Sequence, residues 1–106
     1  MSKNHEERKE RDKVEQEAVR EFLEIIKPVF PRDKWQIYYS LFGHGEWEMA
    51  FHWSLEVLRD LQIKISPQLK KSIDRCLLAL KAERHDYPEL EQLKYDEYWK
   101  KQYGYE

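Results

Sequence analysis

Cysteine, glycine and proline are all scarce in this chain of 106 residues, which holds one, three and four of them. The lone Cys76 excludes an intramolecular disulfide. An all-β chain of this length needs a turn residue about every 10 positions, more than so few glycines and prolines supply, so helices are favoured. An apolar run long enough for a signal peptide or a membrane span is also missing, and a cytoplasmic protein without membrane association is the expectation. Charge of one sign is lacking too: the net charge of −2 is too small for general attraction to nucleic acid or an anionic bilayer.

What is present is a core and a wet exterior. Hydrophobic residues make up 41% of the chain, four of them tryptophans, while 38% of residues are charged. The first figure argues against wholesale disorder and the second for a heavily solvated surface. The length suits one domain able to bury a single core without metal or disulfides. The expected fold is all-α, a single-domain bundle of four to five helices. Residues 1–13 would be a charged extension of the first helix, and 14–106 one helical domain ending in an aromatic tail.

Apolar residues at helical spacing mark the elements. Val14, Ala18, Phe22 and Ile25, joined by Val19, Leu23 and Ile26, predict a first helix that Pro28 ends. Lys27 to Pro31 reads as a connector. A second helix from about Arg32 to Phe42 carries Trp35, Ile37, Tyr38, Tyr39, Leu41 and Phe42 with little polar face, so it is expected between neighbours. Gly43 and Gly45 then turn the chain into a third helix, about Glu46 to Leu61. Placed on a wheel of roughly 100° per residue, that helix puts Trp47, Ala50, Phe51, Ser54, Leu55, Val57, Leu58 and Leu61 on one broad core side. A short extended piece, Gln62 to Ile65, leads to Ser66-Pro67, an N-cap with proline in the first turn. The fourth helix follows to about Leu80, with Leu69, Ile73, Cys76, Leu77 and Leu80 inside and Lys70, Lys71, Asp74 and Arg75 outside. A fifth helix is expected from Tyr87-Pro88 through Leu90 and Leu93.

Candidates for chemistry are few. His44, Glu48 and His52 recur every four residues, as metal ligands can, but His44 falls in the turn and no fourth ligand is evident. An ordinary polar face accounts for the same spacing. His5 and His85 have no visible catalytic companion, and Cys76 lies within an apolar stripe as an inert thiol does. No catalytic residue, cofactor or metal is therefore assigned. A DNA-binding helix-turn-helix is contradicted by charge, since Glu46, Glu48, Glu56 and Asp60 on the third helix repel phosphate.

The polar side of that same helix also carries Met49 and Trp53, two large apolar side chains where polar ones are expected. Ringed by Glu46, Glu56 and Asp60, they form the pattern of an anchor for a basic protein partner, the acids steering encounter and the tryptophan supplying buried area. Tyr98 and Trp99 of the aromatic tail join the candidate partner-binding set. Two arrangements stay open, because the first helix or the tail would equally cover Trp53 within the monomer.

The run Gly45-Glu46, Ala50, Leu55, Leu58 and Leu61, then Ile63-Lys64-Ile65-Ser66 and the helix with Ile73, resembles the core pattern of small helical bacterial immunity proteins. These are the Maf-type proteins and similar ones paired with contact-dependent growth-inhibition toxins. The resemblance spans about residues 41 to 80. It implies a protein without catalytic activity that binds and neutralises the C-terminal domain of one cognate toxin, often a nuclease, inside the producing bacterium. Without a toxin partner, the same residues read as a helical adaptor or regulatory subunit.

Overall fold

The computed structural model describes residues 2–95, with side chains from Glu10 onward. Among the described residues there are four α-helices, and the chain is mostly helical, as the sequence pattern predicts. Helix α1 (Ser2–Ile26) runs unbroken through the charged extension. Its buried stripe is Ala18, Val19, Phe22, Leu23 and Ile26, at the three- and four-residue spacing of one helix face, while Val14, expected in that stripe, is exposed. Pro28 lies in a tight 3-10 turn, Lys27–Val29, after which extended backbone carries Phe30 back into the core.

Helix α2 (Arg32–Gly43) has no buried residue, and Ile37 is 57% exposed, so the expected central, sandwiched helix is a peripheral one. Its aromatics explain the difference. Trp35 Nε1 donates to the Leu23 carbonyl at 2.7 Å, anchoring one face on α1. On the other side Trp35 stacks on Tyr39 at 4.7 Å, and Tyr39 lies against Phe42 at 5.7 Å. Aromatic side chains thus cover one another, without a second layer above them among the described residues.

Helix α3 (Trp47–Asp60) buries Ala50, Phe51, Ser54, Leu55, Val57 and Leu58. It lies between α1 and α2. Phe51 meets Phe22 of α1 edge-on at 5.0 Å. The turn before it satisfies the last carbonyls of α2: Gly45 N–H donates to Phe42 and Glu46 N–H to Leu41, with Gly45 at φ 87°. This pair of bonds, with a left-handed residue between helix and exit, is a Schellman closure. The same two bonds recur after α3, where Gln62 (φ 52°) sits in the left-handed position, and again at Lys81 (φ 54°).

The extended piece becomes strand β1 (Lys64–Ile65), paired in parallel with β2 (Lys94–Tyr95). Ser66 Oγ then accepts from Leu69 N–H at 3.1 Å and opens α4 (Pro67–Ala79), which packs along α1. Leu69, Ile73, Cys76 and Leu77 are buried as the period predicts. Lys70, expected outside, is only 3% exposed and pairs with Asp74 one turn on. In place of a fifth α-helix the chain makes two 3-10 turns, Arg84–Asp86 and Pro88–Gln92. Glu83 and Asp86 form a capping box around the first. Tyr87, Glu89, Leu90 and Leu93 face inward from this strap, Tyr87 edge-on to Phe51 at 5.4 Å. No helix among the described residues is long and apolar enough to cross a membrane.

Candidate functional site

The outward side of α3 is the distinctive surface. Met49 is 38% and Trp53 39% exposed, so neither is withdrawn into the core. Trp53 makes an edge contact with Tyr38 of α2 at 6.1 Å. Met49, His52 and Trp53 line one side of an open groove of about 610 Å³, and Leu80, Lys81, Ala82 and Tyr87 line the other. Glu46 and Glu48 from the start of α3, with Asp86 from the strap, make its rim acidic, with Lys81 opposing them. Glu46 makes no capping bond to the helix, leaving its carboxylate at the groove.

Of the residues singled out from sequence, Glu46, Met49 and Trp53 are brought together in this groove. Glu56 and Asp60 continue along α3 outside its lining, and each has a local partner. Glu56 Oε1 lies 3.5 Å from His52 Nε2, and Asp60 accepts from Arg59 Nε at 2.9 Å. That hydrogen bond holds the Arg59 guanidinium above its ordinary range. Tyr98 and Trp99 lie outside the described residues.

The spacing of His44, Glu48 and His52 assembles no donor set among the described residues. His44 Nδ1 sits 2.8 Å from the Ser40 carbonyl in the α2 closure, while His52 turns toward the strap. There His52 Nε2 is 2.8 Å from Glu89 Oε1, a carboxylate only 6% exposed. The Tyr87 ring meets the imidazole edge-on at 5.2 Å. Burial, reinforced by Glu48 and Asp86, pushes the Tyr87 phenol up to about 12. Burial raises the Cys76 thiol as well, and its Sγ donates to the Ala18 carbonyl at 3.3 Å, so a protonated core thiol is what stands there.

Sequence reading missed Glu89 and Tyr87. His52 and Glu56 share a helix face at a four-residue interval and are visible as a pair, but Glu89 reaches them from 37 residues beyond His52, with no periodic signal to join them. Comparison with family models, with curated proteins and with solved structures yields no match.

Proposed function

We propose that this chain acts by stoichiometric protein binding, as an immunity protein that holds a cognate toxin domain inactive inside the bacterium that makes it. The observation that carries the reading is the half-exposed pair Met49 and Trp53 beside a carboxylate-rimmed groove. A tryptophan and a methionine offered together supply large apolar area with modest ordering loss, the usual centre of a binding hot spot. Glu46, Glu48 and Asp86 around them favour a basic partner. The sequence resemblance over residues 41 to 80 narrows that partner to a toxin domain, a nuclease with its basic substrate cleft being the natural fit. In this reading the chain performs no catalysis, needs no cofactor to bind its partner, touches neither nucleic acid nor membrane, and works in the cytoplasm.

The test is co-expression with the toxin domain encoded immediately upstream. Growth should be restored and a complex recovered, whereas persistent inhibition without a complex would defeat the proposal. Within a complex, Trp53→Ala should weaken affinity by about 2 kcal/mol while leaving the helical signal unchanged. Glu46→Lys should act mainly on the association rate. A Trp53→Ala protein that binds normally but melts far lower would make Trp53 a structural residue instead.

A further inference from the structure

We propose that His52, Glu56 and Glu89 form a binding site for one divalent transition-metal ion of the zinc class. One donor atom from each of the three, the His52 Nε2 and a carboxylate oxygen of each glutamate, all lie within 4.8 Å of one another. Zinc binds nitrogen and oxygen donors at about 2.0–2.2 Å, which in a tetrahedron sets neighbouring donors about 3.3 Å apart. The separations from His52 Nε2, 2.8 Å to Glu89 and 3.5 Å to Glu56, bracket that spacing. An ion therefore enters through side-chain shifts of a few tenths of an ångström for these pairs, and rotation of the half-exposed Glu56 brings its oxygen toward Glu89.

The independent observation is Glu89 itself. It is 6% exposed, and while Oε1 pairs with His52, Oε2 has no hydrogen-bond partner among the described residues. Burying a carboxylate oxygen without a donor is costly, and a dication bound by that carboxylate supplies the missing compensation. The nearby cation Arg59 is turned elsewhere, its Nε donating to Asp60 at 2.9 Å and its Nη1 to Gln92 at 3.4 Å. One imidazole with two carboxylates suits zinc better than magnesium or calcium, which prefer all-oxygen sites. Binding uses the Nε2 lone pair, so a proton held on that nitrogen moves to Nδ1 or is released to solvent.

The fold gives the site its rigidity. His52 and Glu56 stand one turn apart on α3, and Tyr87 packs edge-on against the imidazole. Glu89 arrives on the Pro88–Gln92 turn, so a bound ion staples the strap to α3. With three protein ligands, a coordination position remains for water or another ligand, on the side where His52 and Glu56 are 38% and 42% exposed. Nothing in this site depends on a toxin partner.

The experiment is titration of the chelator-stripped protein with Zn²⁺ alone, followed by calorimetry and thermal melting, and with Co²⁺ for its visible absorption. One ion per chain should bind, the melting temperature should rise with ion concentration, and Co²⁺ should report nitrogen and oxygen ligation. Glu56→Gln, at a half-exposed position, and His52→Gln, which still offers a donor to Glu89, should each fold and weaken binding at least about 10-fold. His85→Ala should leave affinity unchanged, because His85 sits in a separate exposed cluster with Glu83 and Asp86. Absence of binding, or binding that survives both ligand substitutions, overturns the site. Binding here is read without any partner, so its failure and that of the immunity reading are distinguishable.

Discussion

At Gly43 and Gly45, two glycines two residues apart, the same substitution should have opposite effects. Gly45 holds φ 87°, and an added Cβ would meet only Trp47 Cζ3 at 3.8 Å, so its demand is on backbone angle and not on space. Gly45→Ala should destabilise by about 1–2 kcal/mol. Gly43 lies within the last turn of α2, and nothing among the described residues stands within 4 Å of a Cβ built there. Gly43→Ala should stabilise by about 0.5–1 kcal/mol through helix propensity. Denaturant melts of the two variants check the sign of each change. Lys81, left-handed at φ 54° without being glycine, offers the converse case: Lys81→Gly should gain up to about 1 kcal/mol. Tyr87 sets a pH dependence at the same scale. Its phenol titrates near 10 in an unfolded chain and at about 12 in the fold, so the folded state favours the neutral form. The associated stability is fully present below pH 10 and is lost as pH rises through 12, about 2–3 kcal/mol in all. Tyr87→Phe should flatten stability over that alkaline window, measured by urea melts at stepped pH.

Elements with a single dominant periodicity were legible and those governed by distant packing were not. Ser66-Pro67 and the stripe Leu69, Ile73, Cys76 and Leu77 specify α4 from cap to core, and the structure agrees at each of those residues. The second helix shows where the reasoning fails. Its apolar density suggests two-sided burial, yet aromatic rings stack on their own neighbours, so the density records side-chain area and not enclosure. The consequence is measurable: Ile37→Gln on the open face of α2 should change stability by no more than about 0.5 kcal/mol. Phe51→Ala, fully buried between Phe22 and Tyr87, should cost about 3–5 kcal/mol. Similar losses for both would return α2 to the interior. The strap after α4 failed for another reason. Leu90 and Leu93 suggested a helix, and both are buried, but Pro88 opens only a short 3-10 turn before the chain pairs as β2 beside β1. That pairing joins residues 30 apart and leaves no local trace in sequence.

Over the whole molecule, charge is segregated in a way that the net value of −2 conceals. The outward side of α3 and the neighbouring strap present Glu46, Glu48 and Asp86 around the groove, whereas α4 exposes Lys71 and Arg75, the latter donating to Glu21 at 2.6 Å. The acidic face with Met49 and Trp53 was readable from sequence, because helical spacing alone places 46, 49 and 53 together. The opposite wall of the groove was not, since Lys81 and Tyr87 meet α3 only through tertiary packing. The two kinds of group should separate kinetically if this face receives a basic partner. Exposed carboxylates act over about 10 Å at 0.1 M salt and only about 3 Å at 1 M, so they speed encounter more than they hold the complex. Raising salt from low to high should therefore slow association by about 10-fold or more, with little change in dissociation. Trp53→Ala should do the reverse, leaving association nearly intact and accelerating dissociation, because its apolar area is lost only once the faces have docked. Stopped-flow traces of wild type and Trp53→Ala across a salt series separate the two. An association rate indifferent to salt would mean that the carboxylates of α3 do not steer the encounter.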